Sequence, residues 1–443
     1  MSCSSIINDP LQNSSERLAA LRSCPLVSAG SNGEINNHIH TIYSFSPYTP
    51  AMAALCARNA GLSTAGSVDH DSIAAAGEML EACAILGIGG CVGFELRVSF
   101  KNGADGKSGS FAGRKLNNPD SRGIAYMTVQ GIPQAAISKA EEFLIPMRDE
   151  RLKRTKAMAV AANVLLREAK IPEIDFEQDI VNRSKYSEGG GITERHLLAA
   201  VAEKFINKYG KGQQLIQALG QKTGISVSPK LAAYLTDADN PHYLYDLLGI
   251  LKSELLPKIF IQPDEQECIP ADHVTAFANS IGAIPAYAYL GDVGESSTGD
   301  KKAEKFEDDY IDELFEEIKR LNYKALTYMP PRNSIEQLRR VQQLCTEYGF
   351  MEISGVDINS SRQSFNCPEV LHEDFRHLID TTWALIAHER LTSIDKHYNL
   401  FSEDNPLASE SLSERLNSYA AIGKKLDLHH PEESAVELMK DFF

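Results

Sequence analysis

Asn37-His38-Ile39-His40-Thr41-Ile42-Tyr43-Ser44 follows a short run, Gly33–Asn37, that can pair as a strand. Residues i and i+2 of a strand point to one face. His38 and His40 therefore present two imidazoles together at a strand end, an arrangement that suits a metal ion. Two further stretches repeat the pattern. Val68-Asp69-His70-Asp71-Ser72 and Gly93-Phe94-Glu95-Leu96-Arg97 each put a His or a carboxylate where a strand would end. Three imidazoles and a carboxylate on three successive strand ends are the donor types of a hydrolytic metal centre.

Working outward, Pro50–Ala60 and Ile73–Leu86 read as helices, and Ser67–His70 and Ile88–Leu96 as strands. Strand–helix–strand alternation is the mark of parallel βα units, and in barrels of such units the chemistry gathers at the carboxyl ends of the strands. Lys101–Gly123 is Gly-, Asn- and Ser-rich and reads as a loop before the strand Ile124–Ile132. From 138 to 250 the alternation gives way to helical periodicity, including Met147–Glu168, which is basic on one side. This block is expected to be a helical insertion. Strands resume at Ala283–Tyr289, Tyr323–Tyr328 and Phe350–Ile353, with the helix Ile335–Tyr348 between the last two. The expected division is a leader (1–30), a first barrel part (31–137), the insertion (138–250), a second barrel part (251–367) and a helical C-terminal segment (368–443). Asp71 and Ser72 suit an N-cap better than ligation.

The order His-x-His-Thr-x-Tyr-Ser, Asp-His-Asp-Ser, Gly-x-Glu, with a later trace at Gly355-Val356-Asp357-Ile358-Asn359, resembles the PHP (polymerase and histidinol phosphatase) family. The likeness covers roughly residues 33–365. It implies an α/β fold, a distorted, TIM-like, seven-stranded β/α barrel, and metal-dependent phosphoesterase chemistry related to that of the amidohydrolases. By resemblance, His38, His40, Glu95 and Asp357 are ligands of one metal, and His70 serves a neighbouring one. Asp69 would hydrogen-bond within the site and orient a ligand imidazole. Arg195-His196 resembles an Arg-Pro-His of the family's inserted subdomain, and both residues would suit a phosphate. Arg332 and Arg362, in loops past strand ends, are further anion-binding candidates. The implied cofactor is a divalent ion, Zn, Mn or Fe, which lowers the pKa of water and makes hydroxide available as a nucleophile.

The chain also departs from the family pattern. Thr128 and Tyr289 stand where family histidines are expected, and Asn359 replaces a His in Asp-x-His. Neutral hydroxyl and phenol groups are poor ligands, so one metal position should be depopulated, while Asn359 keeps a carbonyl oxygen near the His70 position. One metal is expected, with a second left open. Tyr289, released from ligation, would be free to donate a hydrogen bond to a substrate oxygen.

The 443 residues carry a net charge of −16, which disfavours a long nucleic acid as partner because phosphate contacts need a basic surface. A small phosphorylated substrate remains compatible. The acid is concentrated in Glu304–Glu317, where Phe306, Tyr310, Leu314 and Phe315 have helical spacing and the acids read as a solvated face. No apolar run reaches membrane-span length, and Met1–Pro10 lacks the features of a signal peptide. Eight scattered cysteines without Cys-x-x-Cys spacing read as buried thiols in a reducing, cytoplasmic setting. The oligomeric state is left open. The expected function is metal-dependent hydrolysis of a small phosphate ester. The alternatives are a C–N or C–O bond hydrolase and a non-catalytic metal-binding module.

Overall fold

The computed structural model describes residues 3–25, 30–102, 109–293 and 304–443, so 103–108 of the expected loop lie outside the described residues. Strand β1 is Ile35–Ile39, β2 Thr64–His70, β3 Gly89–Ser99, β4 Ile124–Gln130, β5 Ile284–Ala288, β6 Ala325–Tyr328 and β7 Met351–Ser354. They form one seven-stranded sheet in sequential order, β1 to β7. The two ends of the sheet meet just past β7, where Ile358 bridges Ile39 in parallel. His40 N donates to Ile358 O at 2.9 Å and Ile358 N to His38 O at 3.1 Å. The side-chain amides of Asn36 and Asn37 reach Val356 O and Ser354 O and extend this seam. The result is a distorted α/β barrel. Gly355 lies on the seam, and a Cβ there would come within 2.6 Å of the His38 nitrogen.

Neighbouring strands are parallel except that β4 runs antiparallel to both β3 and β5. The physical reason is the connection. A parallel return needs a crossover element, usually a helix, and the described residues between β3 and β4 contain none. Helices Pro50–Asn59 and Ala76–Leu86 make the β1–β2 and β2–β3 crossovers. The latter starts at Ala75 without a side-chain cap. Asp71 instead accepts from Arg151, and Ser72 donates to Gly189 O.

Alternation divides the strand residues between two faces. Phe94, Leu96 and Val98 join the large apolar cluster that includes the crossover helices. Cys91, Ala286, Ala325 and Met351, which share the face of Glu95 through the cross-strand register, pack instead with Leu385 and Ile386 of the helix His377–Ile394. That C-terminal helix closes the barrel at the ends of the strands opposite Glu95 and His70. The N-terminal helix Ser14–Ser23 is fastened by Arg17, whose guanidinium makes a paired, buried contact with Glu78.

Between β4 and β5 the described chain is helical, dominated by Ile137–Glu168, Glu194–Tyr209 and Tyr243–Glu254. These helices have their own apolar cluster, running from Met158 to Ile259. No described helix is long and apolar enough to cross a membrane.

Candidate metal centre

His38 and His40 project from the end of β1 on one face, and His70 at the end of β2 lies in register with Glu95 on β3. Asp357 arrives just after β7, held beside β1 by the Ile39–Ile358 bridge. His38 Nε2 lies 3.7 Å from Glu95 Oε1, and His40 Nε2 3.9 Å from Glu95 Oε2 and 3.3 Å from Asp357 Oδ1. His70 Nδ1 approaches Glu95 Oε2 at 2.9 Å. His38, His40 and Glu95 are buried, whereas the Asp357 side chain is 36 % exposed, so the cluster opens on that side.

The electrostatics suit a cation. Burial pushes the His38 and His70 imidazoles below their ordinary pKa, which keeps them neutral. Burial alone would raise the Asp357 carboxyl, but adjacent His40 and the other two imidazoles hold it well below the usual range. Burial opposes protonation of His40 as well, yet its contact with Asp357 raises it on balance. His40 Nε2 and His70 Nδ1 are buried without a hydrogen-bond partner. Two triads, His38/His40/Asp357 and His40/His70/Glu95, bring one donor atom from each residue within 4.8 Å of the others. Unpartnered imidazole nitrogens beside two carboxylates are the donor set a divalent ion such as Zn, Mn or Fe takes.

Asp69 has the opposite strand parity to His70 and turns to the loop after β1. Its carboxylate accepts from Thr41 N at 2.7 Å, Thr41 Oγ1 at 2.6 Å and Ser44 Oγ at 2.5 Å. Ser44 Oγ in turn lies 3.2 Å from His40 Nδ1. Asp69 thus reaches the cluster through Ser44. Asn359 turns its amide to Asp357 Oδ1 at 2.7 Å and offers its backbone carbonyl to Arg195 Nη2 at 2.8 Å. The Arg195 guanidinium lies over the rings of Phe45 (5.7 Å) and Tyr245 (5.8 Å). Phe45 sits at φ 72°, where a bulky residue is strained. Its ring is held by His196 at 4.9 Å and Tyr245 at 6.0 Å.

Other candidates are placed elsewhere. His196 Nδ1 accepts from Thr193 N and caps the helix Glu194–Tyr209, and burial pushes its imidazole down to about 3. Arg362 is neutralised by Asp246, with contacts of 2.5 and 2.7 Å. Arg332 donates through Nε to Leu290 O, while its Nη2 is buried without a partner. Tyr289, expected to donate to substrate, is committed to Asp308 Oδ1 at 2.6 Å. The reason is parity. Ala286, two pairing steps from Glu95 through Thr128, marks the face of the cluster, so Ala288 shares that face and Tyr289 does not.

The alternation that places Thr128 opposite Glu95 also places Tyr126 on the cluster's face, its ring 5.7 Å from that of His70. Tyr126 was legible in Ile124–Ile132 once a single face was counted. Ser44 closes the motif His-x-His-Thr-x-Tyr-Ser, but its contacts with Asp69 and His40 depend on the fold of the loop Thr41–Tyr48 and were not legible in the spacing.

No family model and no curated protein matches this chain. Among solved structures it is similar to a protein from Bifidobacterium adolescentis, provisionally assigned as a metal-dependent phosphoesterase. That likeness has 17% identity and a TM-score of 0.48, over 78% of this chain and 93% of that one. It is similar also to an amidohydrolase from Chromobacterium violaceum with bound sulfate and no metal, at 15% identity and a TM-score of 0.48, over 78% of this chain and 95% of that one.

Proposed function

We propose that the protein is a metal-dependent hydrolase of small, soluble phosphate esters. The observation that carries the phosphate reading is Arg195. Its guanidinium is half-buried beside Asn359, with a backbone carbonyl and two aromatic faces as partners and no carboxylate at ion-pair distance among the described residues. Burial disfavours that charge, and Asp357 is among the groups that offset the penalty electrostatically. A guanidinium desolvated without a carboxylate is completed by an anion, and its fork matches two phosphate oxygens. Arg332, which burial disfavours and the fields of Glu307 and then Asp357 favour, likewise has no carboxylate at ion-pair distance among the described residues and is a second such group.

His38, His40, Glu95 and Asp357, with His70 adjacent, would hold the ion. When bound it supplies Lewis acidity, lowering the pKa of water and offsetting charge on a phosphoryl oxygen. The chain's own residues do the rest. Asp69 and Ser44 fix the His40 ring, Asn359 steadies Asp357, and Arg195 orients an anionic group at the open side. The sequence likeness to PHP-family proteins supports the same reading, and the net charge of −16 fits a small substrate better than a long nucleic acid.

The test is inorganic phosphate release from a panel of soluble phosphomonoesters, run beside a panel of amides, lactones and carboxylic esters. Phosphate release that stops on chelation and returns with Mn2+ or Zn2+ is expected. Turnover confined to the C–N or C–O panel would replace the phosphate reading with the amidohydrolase one. Metal binding without turnover of either panel would favour a binding module.

A further inference from the structure

Strands β1 to β7 are buried almost throughout. On the face that carries Glu95, three of their residues are partly open: His70 at the end of β2, Tyr126 in β4 and Ala288 at the end of β5. The register brings these three together. Arg97, two residues beyond Glu95 toward the carboxyl end of β3, is the partner of Tyr126, so Tyr126 stands one layer above Glu95 at the barrel mouth. Thr128 pairs with Ala286, which puts Ala288 beside Tyr126, where it adds only a methyl group. The Tyr126 ring lies 5.7 Å from that of His70.

The backbone of Tyr126 is fixed. Buried Asn117 accepts from Tyr126 N and donates to Tyr126 O, both at 2.7 Å, and donates to Ala288 O as well. The hydroxyl is free, with no hydrogen-bond partner among the described residues. The charged groups around it are committed to one another, Arg97 to Glu194 and Glu267, and Arg151 to Asp71 and Glu194. The other hydroxyls of β4 and β5 are not available. Thr128 lies a layer deeper, fully buried, and receives the Gln130 amide, and Tyr289 donates to Asp308. A phenol keeps its proton at neutral pH. Tyr126 thus presents an unused O–H donor at the mouth, above His70.

Arg195 reaches the mouth from the other side, at Asn359 O next to Asp357, past the end of β7. With the seam between β7 and β1 closed, β4 is three strands from β7 one way round and four the other. The guanidinium and the phenol therefore stand on opposite walls, with the cluster between them. A guanidinium fork matches two equatorial oxygens of a phosphoryl group. A single O–H matches one oxygen, and the oxygen that gathers charge as phosphoryl transfer proceeds is that of the leaving alcohol.

We propose that Tyr126 is a catalytic residue that touches the substrate, its phenol donating a hydrogen bond to the ester oxygen of the leaving alcohol. Hydroxide forms the new bond to phosphorus. The bond from phosphorus to the ester oxygen breaks with its electron pair on that oxygen, and solvent water protonates the alkoxide. The Tyr126 proton is shared throughout and stays on the phenol. The inference rests on the phosphate-ester reading above and names the group that meets the leaving alcohol.

The test is steady-state kinetics of full-length, Mn2+-loaded wild type and Tyr126→Phe on glycerol 3-phosphate, glucose 6-phosphate and p-nitrophenyl phosphate. Mn2+ per chain and melting temperature are measured on both proteins. An alkoxide carries more charge on its oxygen than p-nitrophenolate and needs the donor more. Tyr126→Phe should therefore lower kcat/KM about 10- to 100-fold for the alkyl esters and less than about 3-fold for p-nitrophenyl phosphate. Mn2+ per chain and melting temperature should not change, since the hydroxyl has no partner in the protein. Equal losses on all three esters, or no loss on any, overturn the inference and leave the phosphate reading standing. So do a lowered Mn2+ content or melting temperature in Tyr126→Phe, which would make the hydroxyl a support of the fold or the cluster. Wild-type turnover of p-nitrophenyl phosphate alone also overturns it, because a donor to the leaving oxygen serves the alkyl esters first. Wild type that cleaves none of the three removes the phosphate reading and this inference together.

Discussion

Arg195 shows how a single residue joins the insertion to the barrel's chemistry. It is the second residue of the helix Glu194–Tyr209, yet its guanidinium ends on Asn359 O, next to Asp357. Phe45, at a φ of 72°, supplies one of the two rings that lie against the guanidinium. If Arg195 binds the phosphoryl group, Arg195→Ala forfeits a charge-assisted contact worth about 1.5–3 kcal/mol. For a phosphomonoester that corresponds to a loss of about 10- to 100-fold in kcat/KM. Bound metal per chain should stay unchanged. Arg195→Lys should recover only part of the loss, since an ammonium does not fork to two oxygens. Equal kcat/KM in wild type and Arg195→Ala would remove the arginine from the substrate site.

Among the elements, those whose ends carry local chemistry were the most legible. The helix Ile335–Tyr348 is bounded by a capping box, Ser334 with Gln337, and by the left-handed Gly349, all visible as residue types. Strands β3 to β7 were legible from their apolar runs, but not their direction, and β1, Ile-Asn-Asn-His-Ile, drew notice through its histidines. Nothing in the alternation of Ile124–Gln130 says that β4 runs against its neighbours. Faces were legible only when counted in steps of two, and Tyr289 shows how an offset of one residue exchanges the site for the packing behind it. The acidic run was the least legible. Helical spacing assigns its acids to solvent, but Glu307 is fully buried, accepts from Leu290 N at 2.8 Å, and is pushed by burial up to about 8.

This last shift has a definite sign. Below an unfolded carboxyl pKa of about 4.3 the group is neutral in both states. As pH rises from there to about 8, the unfolded chain releases a proton that the folded chain retains. Glu307 therefore favours the native state at low pH, and its contribution falls by about 1.4 kcal/mol per pH unit across that window. The melting temperature of wild type should drop between pH 6 and pH 8 relative to Glu307→Gln, whose side chain does not titrate. Parallel curves for the two proteins would show that this carboxyl is ionised throughout.

At the scale of the molecule, the question is whether barrel and insertion behave as one body. The insertion's separate apolar cluster would allow it to unfold by itself. A group of buried charges argues otherwise. Arg151 of the helix Ile137–Glu168 pairs with Asp71 at the end of β2 (2.5 Å) and with Glu194 (2.7 Å). Arg97 of β3 reaches Glu194 at 3.2 Å and also pairs with Glu267, which accepts from Arg154 Nε at 2.5 Å. Three arginines thus balance three carboxylates, and burial opposes Glu194 ionisation less than the arginines favour it, so it stays charged. Such a group adds little net stability over an apolar substitute, but removing one partner strands the others. Breaking a buried pair costs about 3–5 kcal/mol. Glu194→Gln should lose that much in equilibrium unfolding. It should also lower kcat/KM for the phosphate ester, because Arg195 follows directly in the chain. Since the pairs cross from β2 and β3 into the helices, wild type should unfold in one calorimetric transition, with van't Hoff and calorimetric enthalpies in agreement. Two resolved transitions, or a Glu194→Gln variant within about 0.5 kcal/mol of wild type, would mean that the clamp does not couple the two parts and that the insertion is free to move as a lid.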